Sequence, residues 1–107
     1  MVAQISTASL EYVRVQVSAT ASGAAVNPTS DTVNMAFLAD TDAPVSGDWK
    51  TASWETDTAT EPDTYWARCL VGTGGAVALS AGDYHVWVKV TDSPEVPVLR
   101  AGQLRVI

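Results

Sequence analysis

Three aspartates, Asp40, Asp42 and Asp48, form the acidic segment of this sequence that comes closest to a metal-binding motif. Hard cations such as Ca²⁺ bind several carboxylate and carbonyl oxygens at once. An EF-hand loop also places a glycine at its sixth position and a bidentate acid at its twelfth, and this segment has neither. We therefore predict a solvated loop here and no metal site.

Residues that could support nucleophilic catalysis are few. His85 is the only histidine, so an imidazole metal site and a Ser-His-Asp relay both lack their usual partners. Cys69 cannot close an intramolecular disulfide, and its alternation with Tyr65 and Ala67 predicts a buried core thiol instead of a nucleophile. The glycine-rich run at 72–75 lacks the Lys-Ser/Thr that follows a phosphate-binding loop, and a hairpin turn is expected there. The sequence predicts neither enzymatic activity nor a cofactor.

The four tryptophans are the residues that most suggest a binding function, because a sandwich core needs only one or two of them. Trp87 alternates with His85 and Lys89 on the polar side of a predicted strand, and Trp54 and Trp66 are further candidates. Exposed tryptophans anchor protein interfaces, and aromatic platforms also bind sugars. These five residues are therefore interface candidates. The alternative is that a long loop or the N-terminal segment covers Trp87 within the domain.

Period-two alternation, which places successive side chains on opposite faces of a strand, is the main pattern along the chain. It predicts strands at residues 10–18, 32–38, 49–54, 65–71, 76–79, 84–91 and 98–107, with Gly102 as a bulge or bend in the last. No apolar pattern with helical spacing extends over three turns. The chain is therefore predicted to be all-β, an immunoglobulin-like Greek-key β-sandwich of about seven strands, with a small closed barrel as the alternative.

The alternation also predicts the core. The expected inward-facing residues are Val13, Val15, Val17, Val33, Met35, Phe37, Tyr84, Val86, Val88 and Val90. A one-residue slip of the strand at 84–91 would bury His85 and Lys89 and expose three valines, so we expect the register to be fixed.

The first nine residues mix polar and small side chains and precede the first predicted strand. They predict a flexible N-terminal arm at 1–9, followed by a single sandwich domain at 10–107. Val2 and Ile5 could anchor this arm on a neighbouring molecule, so they are also interface candidates.

Composition and charge limit the partners. The chain has 107 residues, 47% of them apolar and 17% charged, as in one ordered globular domain. Twelve acidic residues against six basic ones give a net charge of −6, which repels nucleic acid and anionic membranes. The N-terminus resembles no export signal, and no apolar run approaches the roughly 20 residues of a membrane-spanning helix. We expect assembly in a cytoplasm, with neither nucleic acid nor membrane as a partner.

One local pattern is typical of immunoglobulin-like domains. Residues 79–90 read Leu-Ser-Ala-Gly-Asp-Tyr-His-Val-Trp-Val-Lys-Val, as in the corner before the penultimate strand of such domains. Gly82 permits the turn, and Tyr84 can bury its ring while its hydroxyl bonds to backbone upstream. The cysteine pair of antibody domains is absent.

Over about residues 10–107, the chain resembles small immunoglobulin-like proteins from the structural gene blocks of tailed phages and prophages of actinobacteria. The likeness lies in Ser-Gly-Asp-Trp-Lys-Thr-Ala-Ser-Trp-Glu at 46–55, Tyr-Trp-Ala-Arg-Cys-Leu-Val-Gly-Thr-Gly-Gly at 65–75, and Gly-Asp-Tyr-His-Val-Trp-Val-Lys-Val-Thr-Asp-Ser-Pro-Glu-Val-Pro-Val at 82–98. The resemblance implies no shared catalytic residues.

The resemblance implies a structural role in a virion, as a capsid-surface decoration or as a head-to-tail or tail component. The expected partners are other virion proteins, such as a major capsid, neck or tail protein, bound by many symmetric copies of this chain. A carbohydrate- or receptor-binding module with a surface glycan as ligand is the alternative function, and an accessory domain of a host enzyme is the third.

Overall fold

The computed structural model describes residues 2–21, 24–92 and 95–107. These residues form ten strands and one 3-10 helical turn at Ser46–Asp48. The strands are β1 (Val2–Ile5), β2 (Glu11–Val17), β3 (Ala19–Ala21), β4 (Ala24–Val26), β5 (Thr32–Leu38), β6 (Lys50–Thr51), β7 (Ser53–Asp57), β8 (Thr64–Val71), β9 (Gly82–Thr91) and β10 (Val98–Val106). Within this part of the chain, no helix has the length and hydropathy that a bilayer crossing requires.

The strands form two main sheets that enclose the core. The larger sheet has the order β1-β10-β9-β5-β6, and the smaller has the order β2-β8-β7. Strands β3 and β4 form a separate two-stranded antiparallel sheet, and β1 pairs in parallel with β10. In the immunoglobulin scheme, β2, β8 and β7 correspond to strands B, E and D, and β5, β9 and β10 to C, F and G. The predicted all-β sandwich is confirmed.

The core follows the predicted alternation. Val33, Met35 and Phe37 of β5 are buried, as are Val86 and Val88 of β9. They pack with the inward residues of β2, β8 and β10 in one apolar cluster. Burial of such side chains contributes roughly 1.5–3 kcal/mol each, so this cluster is the main source of stability.

The corner before β9 forms as predicted. The Tyr84 hydroxyl donates a hydrogen bond to the carbonyl oxygen of Ser80 at 2.8 Å, while the ring packs against the core. The predicted bulge also occurs, because the pairing of β10 with β9 shifts between Arg100 and Gly102.

Two predicted strands differ in the structure. The segment 49–54 divides at Ala52, where the chain leaves β6 in the larger sheet and enters β7 in the smaller one. The segment 76–79 is not a strand: Val77 makes a single bridge to Val71, although Val77 and Leu79 still pack against the core. The apolar run therefore indicated burial correctly, but the segment begins in a turn, where the Ala76 amide donates a hydrogen bond to the Leu70 carbonyl oxygen.

The predicted N-terminal arm is instead part of the sandwich from residue 2, while Met1 lies outside the described residues. Val2–Ile5 pairs with Gln103–Val106 of β10, and Ile5 is 8% exposed within the core cluster. The edge of β10 offers unpaired backbone groups, and pairing with it satisfies them. Ile5 is therefore a core residue here and not an anchor on a neighbour, which corrects the prediction.

Cys69 lies in the core, as predicted, with 1% of its surface exposed and its thiol 3.5 Å from the Thr51 carbonyl oxygen. Burial raises the pKa of the thiol from 9.0 to about 11, and the nearby Lys50 ammonium opposes this shift. The neutral thiol is therefore the form that the fold favours.

This pKa predicts a loss of stability at high pH. Between about pH 9 and 11, the thiol ionises in the unfolded chain while the folded chain retains its proton, so proton release favours unfolding. We expect the thiol to contribute a loss of roughly 2–3 kcal/mol across this range, since one pKa unit corresponds to about 1.4 kcal/mol. Urea unfolding of the native sequence and of Cys69→Ala at several pH values isolates the effect. If the free energies of unfolding of the two proteins changed in parallel with pH, the expected effect of the thiol would be contradicted.

Candidate protein-docking surfaces

The predicted site residues do not form one cluster, because they lie on different faces of the sandwich. His85, Trp87 and Lys89 lie on the outer face of the larger sheet. Trp66 lies on the outer face of the smaller sheet, on the opposite side of the molecule. Trp54 pairs with the core residue Ala67 and faces inward.

Trp87 points outward, which confirms the predicted register, but it is half-buried. It lies opposite Ala36 of β5 and Arg100 of β10. Ala36 has no exposed surface even though it lies outside the central core cluster, so side chains on this outer face cover it. The Trp87 indole nitrogen is buried and bonds to none of the described residues. Trp87 is therefore part of a packed outer layer and is less accessible than predicted.

The two polar neighbours of Trp87 belong to the same layer. His85 and Lys89 are both half-buried, and the Lys89 ammonium lies 4.8 Å from the centroid of the Trp49 ring. This cation–π contact occupies one face of Trp49.

Two of the other interface candidates, Trp54 and Val2, take part in the fold itself. Trp54 packs against the core, and its indole nitrogen donates a hydrogen bond to the Asp31 carbonyl oxygen at 2.8 Å. It holds the segment before β5 in place and faces the core instead of the outer surface, which corrects the predicted exposure. Val2 belongs to β1, and its backbone pairs with Gln103 of β10. Its side chain lies outside the described part of the structure.

The most organised surface of the molecule is the outer face of the smaller sheet. Five side chains from three strands form a connected network there, the arginine–aromatic ladder: Tyr12, Arg14, Glu55, Trp66 and Arg68. Glu55 binds both arginines, with Oε2 at 2.6 Å from Arg14 Nη1 and Oε1 at 3.4 Å from Arg68 Nη1. Each guanidinium also lies over an aromatic ring, Arg14 at 5.0 Å from the Trp66 centroid and Arg68 at 4.2 Å from that of Tyr12.

Strand register explains why the ladder needs all of its members. Arg14 and Arg68 lie directly opposite each other in the pairing of β2 with β8, where like charges repel. Glu55 from β7 accepts hydrogen bonds from both and offsets this repulsion. Exposed ion pairs contribute only about 0.2–1 kcal/mol, so the network mainly orients its side chains. The network itself carries one net positive charge, and Asp57, which shares the outer face of β7 with Glu55, makes this face neutral in a chain whose total is −6.

Aspartates of the acidic segment accept hydrogen bonds from backbone amides of their own loop. Asp40 Oδ1 accepts a hydrogen bond from the Asp42 amide at 3.2 Å, and Asp48 Oδ2 accepts one from the Val45 amide at 2.9 Å. Across the described ranges, no three His, Cys, Asp or Glu side chains are arranged to hold a metal ion.

A cleft of about 500 Å³ opens between the two sheets, at the end where β2 finishes and β10 begins. Its apolar walls are the inward-facing Val15, Val17 and Leu99, with Val88 and Val90 behind them. Asp31, Asp92 and Glu95 line it together with Arg100.

Neither the ladder nor the cleft follows from the sequence patterns. The alternation places Arg14 on the outer face of β2, which was predicted, but its contacts depend on strands more than forty residues away, since Glu55 is 41 positions along the chain. The cleft depends on which strand edges remain unpaired, and alternation within a strand carries no information about its neighbours.

No protein-family model, curated protein or solved structure matches this chain.

Proposed function

We propose that this chain is a non-enzymatic structural protein of a tailed-phage virion, which docks in many copies on other virion proteins. The resemblance at 46–55, 65–75 and 82–98 supports a place on the capsid surface, at the head-to-tail junction or on the tail. The observation that carries the docking role is the arginine–aromatic ladder on the outer face of the smaller sheet.

The ladder has the properties of an interface centre. Tryptophan, tyrosine and arginine are the residue types that contribute most to binding at protein interfaces. Here they are partly exposed, and their mutual contacts already hold them in place. Ordering a long side chain on binding costs about 0.5–1.5 kcal/mol, and a preformed ladder avoids much of that cost. Its two guanidinium groups share a single carboxylate, so their remaining N–H donors favour a partner surface that carries carboxylates.

The aromatic contacts favour protein over sugar as the ligand. Stacking on a sugar ring needs an open aromatic face, and a cation already covers one face of Trp66, of Tyr12 and of Trp49. Trp54 packs against the core, and Trp87 is half-buried. A protein surface can instead extend the ladder through hydrogen bonds to the guanidinium groups.

Loss of one ladder member should weaken attachment much more than it lowers stability. We expect Arg14→Ala to reduce the affinity for virus particles about 30-fold, the loss typical of an interface centre at about 2 kcal/mol. Its free energy of unfolding should fall by less than about 1 kcal/mol, because the pair is exposed. The measurement is a binding isotherm of labelled protein on particles purified from a host strain that lacks this gene.

Lys89→Ala is the matched control, since Lys89 also lies over a tryptophan but on the opposite face of the sandwich. It should leave the affinity unchanged. If Lys89→Ala weakens attachment and Arg14→Ala does not, the β9 face with His85 and Trp87 is the docking surface and the assignment to the ladder is wrong. If particles bind none of the proteins, the virion role fails as well.

A further inference from the structure

The smaller sheet has an unfilled strand position. Constant-type immunoglobulin sandwiches place four strands, A, B, E and D, in this sheet. Here the sheet has three, β2-β8-β7, and no strand of the described ranges pairs with the outer edge of β2. The position of strand A is next to β2, on the side where the cleft opens.

Inward-facing side chains are uncovered at this position. Leu99 lies directly opposite Val88 and shares its inward face, yet Leu99 is 65% exposed whereas Val88 is 4% exposed. Along β2, Val13 is buried, but Val15 and Val17, which line the cleft, are only half-buried. An apolar segment placed here would cover the exposed Leu99 and complete the burial of Val15 and Val17.

Backbone groups are also unpaired on both sides of the cleft. β1 pairs with β10 only at Gln103–Val106, so residues 98–101 have no described strand on their outer edge. Two free strand edges that flank an apolar cleft suit an extended peptide better than a compact small molecule. Only a peptide backbone can continue the backbone hydrogen bonding of a sheet along such an edge.

We infer that the cleft binds an extended segment of a partner protein, which adds a fourth strand antiparallel to β2 and inserts alternate apolar side chains. The segment has a lysine or arginine at its N-terminal end, where its positive charge faces acidic residues of the cleft. An antiparallel strand starts at the end of β2, and the three acidic residues that line the cleft, Asp31, Asp92 and Glu95, lie at this end. Reciprocal hydrogen bonds between the backbones of Asp92 and Glu95, at 2.9 and 2.7 Å, hold these two residues together.

Charge argues against a second copy of this chain as the occupant. The chain has a net charge of −6, and three of its six basic residues, Arg14, Arg68 and Arg105, already form ion pairs with its own carboxylates. The inference concerns a different surface from the ladder and stands independently of the virion role.

The test uses the synthetic peptide acetyl-Lys-Thr-Val-Thr-Val-Thr-Val-amide and the isotope-labelled protein. We expect amide NMR shifts on titration at β2 and at residues 98–101. Three altered peptides should each bind at least 10-fold more weakly: one with Glu in place of Lys, one with Lys at the C-terminal end, and one with alternate amides N-methylated to block strand pairing. Equal affinity for the N-methylated peptide would mean simple apolar adsorption and would overturn the inference.

Two protein variants complete the test. Leu99→Arg should abolish peptide binding, whereas Leu10→Arg, an exposed leucine at the opposite end of β2, should bind as the native sequence does. Slow labelling of the buried Cys69 thiol in both variants checks that they remain folded. Unchanged peptide binding by Leu99→Arg, or shifts at β2 that depend on protein concentration without peptide, would overturn the proposed occupant.

Discussion

Gly72→Ala should destabilise the protein by about 3 kcal/mol, which is large for a single substitution. Gly72 has a φ of +136°, and a Cβ at this position would lie 2.3 Å from the Ser9 carbonyl oxygen and 2.9 Å from the Leu10 Cα. Both neighbours are backbone, so the segment entering β2 must shift. Gly72 also accepts a hydrogen bond from the Gly75 amide and donates one to the Val77 carbonyl oxygen. Urea unfolding monitored by tryptophan fluorescence measures the loss.

Two other glycines separate the cost of the positive φ from the cost of the close contacts that an added Cβ would make. Gly74 has a φ of +90°, and a Cβ added there would have no atom within 4 Å, so Gly74→Ala reports only the backbone conformation and should cost about 1–2 kcal/mol. Gly47 has neither constraint, and Gly47→Ala should stay within about 0.5 kcal/mol of the native sequence. If Gly72→Ala costs no more than Gly74→Ala, the close approach of residues 9–10 to this turn is wrong.

Leu104→Ala should lower the free energy of unfolding by about 2–5 kcal/mol, as expected for a buried leucine whose removal leaves a cavity. Leu104 is 1% exposed and lies opposite Tyr84 in the centre of the core cluster. The midpoint of urea unfolding should shift while its slope stays the same.

Leu99→Ala is the matched comparison, because Leu99 is an inward-facing leucine of the same strand. With 65% of its surface exposed in the cleft, it should cost no more than about 0.5 kcal/mol. A loss as large as that of Leu104→Ala would mean that the cleft is closed in solution, and no room for a fourth strand would remain.

Sequence patterns predicted the parts of this fold in which alternation extends over many residues. β5 has the predicted bounds, and β9 has the predicted faces, because each carries three or more inward apolar residues in succession. β1 is too short to show such a pattern, and it is a strand only because the edge of β10 is available to pair with it. β3 and β4 consist mostly of alanine, which has a low strand propensity, so their pairing was not predicted.

The candidate sites were less predictable than the fold. Alternation placed Trp87 outward correctly, but its half-buried state depends on side chains of neighbouring strands. The ladder requires Arg14 and Arg68 to be opposite each other, and that register brings together strands from distant parts of the chain. A single strand shows which face a residue occupies, whereas its neighbours across the sheet determine what that face can bind.

The central claim, that this chain is a virion structural protein, is tested most directly by its amount in intact particles. Particles released from the bacterium that carries the gene can be purified on a density gradient, and quantitative mass spectrometry with labelled peptide standards gives the ratio of this chain to the major capsid and tail proteins. The account predicts many copies per particle, in a fixed ratio to one of those proteins across preparations. A chain that is abundant in the host cytoplasm but missing from the purified particles would contradict it.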